Sequence, residues 1–421
     1  MKLRSGGLTI AALLFLGTGA VPAANIVRTP GAAGAASVVS VDGLVFPAAT
    51  YGTDADPLKQ VDEAVQRMHE ALGRRGLGIG NMLQHTIYLK DGAAPPIAVL
   101  TRFHAMATKL APSLKEFRSV GTIVRVPSFP DKNTAVMIDV VAGAPPVKGR
   151  PDGFKRIGFK FGPQEISETV AVEPLVFTAG LEAMDFQFGK LPPDIDTQID
   201  VIVGKLHNAL TAAGLDVGNM ISHNLYVKRG TDPIHVIEKF HEAARKYSPG
   251  LKDQPSVGTL VIVDGMAGDG FLLEMDAIAA RPQQAGKPDR YARVPFTEMP
   301  MDIAKSVAVG DLVFLAGMEG VDFDKQGAVS PNILEQVEVA VKKIDATLRK
   351  SGLTIGNMVK HKLYVQQGAD VARVRRKFHE VATRLAPELK NQPSAETLVI
   401  VEGLATKQMN FEASVIAARS K

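Results

Sequence analysis

One block is written three times along this 421-residue chain. Gly80-Asn81-Met82 returns at equal spacing as Gly218-Asn219-Met220 and Gly356-Asn357-Met358. A Phe-His pair follows each time, as Phe103-His104, Phe240-His241 and Phe378-His379. A β-rich block then closes each copy: Ser119-Val120-Gly121-Thr122, Ser256-Val257-Gly258-Thr259, and the diverged Ser394-Ala395-Glu396-Thr397. The period is far beyond the roughly 20–50 residues of solenoid repeats. It matches the roughly 100–150 residues that bury one core. The chain therefore divides into copies at 32–144, 155–282 and 292–420, a trimer made covalent. Its binding sites are expected in clefts between copies, and the copies are free to differ chemically.

Within a copy the pattern is mixed. In copy 3, Ser330-Pro331 reads as a helix start, with serine as cap and proline in the first turn. Val337, Val341, Ile344 and Leu348 then fall on one helical face, and Gly352 ends the helix, as Gly76 and Gly214 do in the other copies. Upstream of each helix lies a hairpin, at 38–49, 169–180 and 307–317. Downstream come a strand (85–89, 223–227, 361–365), a second helix, and two further strands. Each copy reads as α+β, one sheet with two helices on one face. The bare face, expected to carry Val120, Ile123 and Val136, needs cover, and three such faces closing about a pseudo-threefold axis supply it. Pro/Gly-rich stretches at 144–151 and 281–288 read as connectors.

Composition narrows the class. Residues 1–24 pair a charged start (Lys2, Arg4) with the apolar stretch 8–21, too short to span a bilayer, and with small residues at Val21 and Ala23. They read as a secretory signal peptide cut after Ala23, so the mature protein is expected to be exported, to the periplasm. The chain contains no cysteine, which excludes disulfides, thiol catalysis, thiolate metal sites and a lipoprotein anchor. The formal net charge is +4, falling to +2 without Lys2 and Arg4, and no basic run is interleaved with aromatics. That balance argues against nucleic acid as a partner.

Three sets of polar residues recur in the copies. His85, His223 and His361 share one strand position, and around a threefold axis three imidazoles can form an open zinc site. A satisfied structural role is the stronger reading, as it is for His104, His241 and His379. No elbow or base surrounds Ser119, Ser256 or Ser394. No metal and no cofactor is called for.

Taken together, the Gly-Leu-x-x-Gly-Asn-Met turn, the Tyr-Val/Leu-Lys strand end, the block Arg118-Ser119-Val120-Gly121-Thr122-Ile123-Val124-Arg125-Val126-Pro127 and the closing Glu274-Met275-Asp276-Ala277-Ile278-Ala279 resemble the RidA/YjgF family of reactive-intermediate deaminases. The resemblance covers all three copies. It implies a chorismate-mutase-like fold, trimeric, with ligand clefts at subunit boundaries. It also implies hydrolysis of 2-imino acids and their enamine tautomers to 2-keto acids and ammonia. The family's carboxylate-binding arginine corresponds to Arg118, whose fork suits a carboxylate. Pro255 and Pro393 replace it in copies 2 and 3. The family's water-orienting glutamate corresponds to Glu274 and Glu412, with Met137 in copy 1. The segment presenting backbone donors corresponds to Ala179-Gly180 and Ala316-Gly317, with Ala48-Ala49 in copy 1. The family's early tyrosine is missing, with Ala35, Ile166 and Ile303 near its place.

The resulting expectation is an imine/enamine deaminase working as a monomer on a small carboxylate-bearing ligand in one inter-copy cleft at Arg118. The rival readings are a degenerate small-carboxylate binder without turnover and a scaffold without a ligand. A ribonuclease, a label some family members carry, is the weakest.

Overall fold

The computed structural model describes residues 24–31, 34–144, 154–284, 291–298 and 302–420. The signal-peptide reading of residues 1–24 falls, apart from Ala24, outside the described residues, as do 145–151 and 285–288 of the two connectors.

Each copy is built on one plan. In copy 1, a hairpin (Ala36–Val41, Leu44–Pro47) leads to helix α1 (Pro57–Gly73), the strand Met82–Lys90, helix α2 (Pro96–Leu110), and the strands Val120–Val126 and Val136–Gly143. Copy 2 repeats this with α3 (Ile195–Ala212) and α4 (Pro233–Tyr247), and copy 3 with α5 (Ile333–Lys350) and α6 (Val371–Leu385). The sheet is mixed: Met82–Lys90 runs parallel to Val120–Val126 and antiparallel to Val136–Gly143. The same pairing holds in the other copies. The α+β class and the pair of helices per copy are as the sequence pattern predicts.

Local chemistry explains the boundaries. Asp56, Asp194 and Asn332 cap the first helices by accepting from Leu58 N, Thr197 N and Leu334 N. Asn332 thus displaces the expected cap Ser330, whose Oγ instead accepts from Asn332 N at 3.1 Å, and Pro331 stays outside α5. Gly76, Gly214 and Gly352 end these helices with φ of 70, 77 and 74°, a region other residues reach only with strain. Val61, Val65, Met68 and Leu72 face the sheet from α1, fully buried, so truncating Met68 to alanine costs about 2–5 kcal/mol.

The Gly-Asn-Met signature proves structural. Asn81, Asn219 and Asn357 accept from the backbone N of Gly78, Asp216 and Thr354 at 2.9, 3.0 and 2.9 Å, closing a tight turn into the central strand. A side chain at Gly218 or Gly356 would overlap Ser248 Oγ, at the cap of the next short helix, or Glu388 Oε1, on its counterpart in copy 3. A buried glutamine adds a second repeated stitch. Gln60, Gln198 and Gln336 each donate one bond to the segment before the first helix and one to the lead-in of the last strand, and each accepts from a backbone N–H of that lead-in.

The three bare sheet faces meet at a common axis. Tyr88, Tyr226 and Tyr364 lie in one cluster there with Val124, Val261, Val399 and Met137. The three hairpins pack together as a second cluster. Strand alternation corrects one expectation: Val120 faces this interior, but Ile123 and Val136 lie under the helices of copy 1.

The copies form a ring in chain order, and each seam repeats two backbone bonds. Ser167 N donates to Ser119 O, Ala304 N to Ser256 O, and Ala36 N to Ser394 O. Gly180 N donates to Gly121 O, Gly317 N to Gly258 O, and Ala49 N to Glu396 O. Seam 3–1 carries more: Ala36 and Ala395 pair as parallel strands, joining the two sheets. Lys360 Nζ of copy 3 also bonds Asp139 Oδ1 of copy 1 at 2.6 Å and Pro47 O at 2.7 Å.

Candidate functional sites at the seams

Seam 1–2 joins the edge strand of copy 1 to the hairpin of copy 2. Arg118 stands at the start of that edge, half-buried. Its backbone oxygen accepts from Arg156 Nε at 2.7 Å and Ser167 Oγ at 2.8 Å of copy 2. Its guanidinium forms no hydrogen bond or ion pair among the described residues, and Glu116 does not pair with it. A cavity of about 460 Å³ opens beside it, lined by Phe103, His104 and Ser119 of copy 1 and Gln164 and Glu165 of copy 2.

Glu274 reaches the same seam from copy 2, and the Ile123 N–H of copy 1 is directed at it. It does not line the cavity around Arg118. Its direct cross-strand partner is Glu182. Burial pushes Glu274 well above the usual carboxylate range, and Glu182 and Asp276 push it further. Burial likewise raises Glu182 to about 7, against an opposing pull from Lys205. Glu182 and Glu274 are register partners across the strands, and burial keeps each carboxyl protonated to higher pH than a free one. Copy 3 repeats the pair as Glu319 opposite Glu412, and burial followed by Glu319 pushes Glu412 up in the same way. In copy 1, Tyr51 opposite Met137 fills the place, so seam 3–1 has no such acid.

The glycines explain themselves here. A Cβ on Gly180 would overlap Glu274 Oε1, and one on Gly317 would overlap Glu412 Oε1. The expectation that these segments present backbone donors to a ligand is corrected. Ala179 N and Ala316 N donate to Glu168 O and Lys305 O, and the N–H groups of both glycines are used across the seam. What the segments supply is room for a carboxyl.

The histidines do not converge on the axis, which removes the three-imidazole zinc site. His85, His223 and His361 point toward their own helices and pack on Phe103, Phe240 and Phe378. Each Nδ1 meets the seam serine, at 3.0 Å from Ser119 Oγ, 3.0 Å from Ser256 Oγ and 2.8 Å from Ser394 Oγ. The helical His104, His241 and His379 stand beside them. At seam 2–3, a cavity of about 140 Å³ is lined together by His223, His241, Gly317, Glu319 and Glu412. Burial lowers His223 to about 3 and His241 to about 4, so both are neutral at physiological pH. A larger cavity, about 790 Å³, lies against the outer face of α5 in copy 3.

Sequence reasoning missed Glu182 and Glu319. Their signal was present: Ala179-Gly180-Leu181-Glu182 and Ala316-Gly317-Met318-Glu319 agree, where copy 1 has Ala48-Ala49-Thr50-Tyr51.

Fold and seams together define a single-chain ring of three α+β units with acid pairs at two of its joints. The chain belongs to the family described as Endoribonuclease L-PSP, whose model matches residues 163–281 and 302–419, that is, copies 2 and 3. This is the RidA/YjgF family to which the sequence motifs point, and copy 1 shares the plan. A RutC family protein of Pyrococcus abyssi is 26% identical over 110 residues, covering 25% of this chain and 86% of that protein. Among solved structures, a chorismatase covers 80% of this chain and 93% of its own at 13% identity and a TM-score of 0.46. The YjgF gene product of E. coli covers 33% of this chain and 92% of its own at 23% identity and a TM-score of 0.25. No helix among the described residues is long and apolar enough to cross a membrane.

Proposed function

We propose that this protein hydrolyses 2-imino or enamine acids to 2-keto acids and ammonia at seam 1–2. The observation that carries the reading is the unpaired guanidinium of Arg118 on the same seam as the Glu182–Glu274 pair. Arg118 grips the substrate carboxylate through its fork. The C=N carbon is already electrophilic, so the seam needs to supply orientation and modest proton transfer. Glu182, with a pKa raised to about 7, takes a proton from the attacking water. Glu274, which stays protonated, gives one to the nitrogen, and the carbinolamine collapses to release ammonia. Seam 2–3 carries Pro255 in place of the arginine and is not the centre of this activity.

The test is keto-acid and ammonia release from freshly generated 2-iminopropanoate. Arg118→Ala should lower kcat/KM by about ten- to a hundredfold, the loss of about 1.5–3 kcal/mol from one charge-assisted contact. No acceleration by folded native protein would remove the deaminase reading. If small carboxylates then still raised the melting temperature of the native chain but not of Arg118→Ala, the protein would be a binder without turnover. An exported location belongs to the same proposal: the secreted form should begin at Ala24 on N-terminal sequencing.

A further inference from the structure

Glu396 stands where the other copies carry glycine, Gly121 and Gly258. Its carboxylate is held from three sides. Oε2 accepts from His361 Nε2 at 3.1 Å and His379 Nε2 at 2.7 Å, and Oε1 accepts from Arg375 Nε at 2.5 Å. These contacts fix the tautomer. With Nε2 of His361 donating, its Nδ1 accepts from the Ser394 hydroxyl.

The same frame is present at the other seams without a carboxylate in it. The two rings of each pair lie 6.0 Å apart at seam 1–2, 6.2 Å at seam 2–3 and 5.8 Å at seam 3–1. The same serine orients the strand histidine each time. Yet His85 Nε2 and His241 Nε2 are buried with no hydrogen-bond partner, a condition proteins rarely leave uncorrected. At seam 2–3, both histidines line the cavity of about 140 Å³, and a Cβ on Gly258 would come within 2.7 Å of His223 Nε2.

We infer that each histidine pair is a carboxylate subsite, which seam 3–1 fills with its own Glu396 and seam 2–3 leaves open to a short-chain monocarboxylate from solution. Ile237 takes the place of Arg375 at seam 2–3, and Phe296 and Ile303 add to the apolar wall. The open subsite therefore offers two imidazole donors beside an apolar wall, and of the two glutamates on the same cavity, Glu319 and Glu412, burial pushes Glu412 towards its neutral form, which favours an acid with a small aliphatic body. The ligand atoms of His361, His379 and Glu396 lie within 4.8 Å of one another, a spacing that also admits a cation. Arg375 on the same carboxylate opposes that occupant, because a fixed positive charge already sits beside it. The inference concerns seams that lack Arg118 and stands apart from the deaminase reading.

The experiment uses the full chain. Glu396→Gly should melt below the native protein, and formate or acetate should restore the loss where chloride at equal ionic strength does not. No rescue by either acid, or a rise in the native melting temperature with added zinc, would overturn the proposal. Should Glu396→Gly fail to fold, propanoate titrated into the native chain gives the second readout. It should shift the ring resonances of His223 and His241, and His241→Phe should weaken the affinity at least tenfold. Unmoved resonances, or affinity unchanged in His241→Phe, would sink it. Binding is read here without turnover, so its failure is distinguishable from failure of catalysis at Arg118.

Discussion

Seams 1–2 and 3–1 are built on the same two backbone bonds, yet they have taken opposite courses. Seam 1–2 keeps a free arginine, the facing acids Glu182 and Glu274, and the glycine Gly180 that makes room for Glu274. Seam 3–1 has Pro393, Met137, Tyr51 and Ala49 at the corresponding places. In exchange it gains a strand pairing and the buried Lys360–Asp139 bridge. On the proposed function, the contrast is between a joint specialised for adhesion and one specialised for chemistry. A ring of identical chains has no such option, because every change appears at all joints at once.

The sharpest way to break this comparison is to remove the adhesive charge. Asp139 is buried between Lys360 and Lys362, at 2.6 and 2.9 Å. Burial pushes its carboxyl up, but the two ammonium groups outweigh that and hold it well below the usual range. Asp139→Ala leaves both cations without their counter-charge and should cost about 3–5 kcal/mol in urea unfolding. A loss under about 1 kcal/mol would mean that seam 3–1 is no stronger than its neighbours. Gly180→Ala sharpens the other side. Its Cβ must displace the Glu274 carboxyl, so a loss of about 1–3 kcal/mol is expected. Ala49→Gly, at the seam that has already lost the acid, should not gain stability in return.

A third measurement follows the acids by pH. Glu182 has its pKa raised from 4.5 to about 7 by burial. The folded state then holds a proton that the unfolded chain has released, so this contribution is present below about pH 4.5 and is lost as pH rises towards 7. Native stability should fall across that window by at most about 1.4 kcal/mol per pH unit. Glu182→Gln should flatten the slope in denaturation curves taken at pH 5 and pH 7. The smallest effect belongs to the rim: Arg125 of copy 1 meets Asp269 of copy 2 at 2.7 Å, but Asp269 is 90% exposed. Asp269→Ala should change stability by about 1 kcal/mol or less.

The fold was largely legible because its evidence is local and repeated. Helix faces, stop glycines and strand order recur three times, and each depends on residues close together in sequence. The chemistry was less legible because it is assembled across copies. Nothing near Arg118 says which hairpin will face it, and the ring order decides that Glu274 is delivered from copy 2. Glu182 hid because its importance lies in cross-strand register with Glu274, not in any motif of its own. Glu396 was visible as a divergence, but its meaning required seeing His361, His379 and Arg375 close around it. The Gly-Asn-Met turn, the loudest signal in the sequence, belongs to architecture alone.

The carboxylate at position 396 has a numerical consequence. An assembly with three related joints invites the assumption of three equivalents of ligand at saturation. If the histidine pairs are carboxylate subsites, Glu396 already takes one of the three places, and a titration of the whole chain with a small carboxylate should close at an occupancy of two.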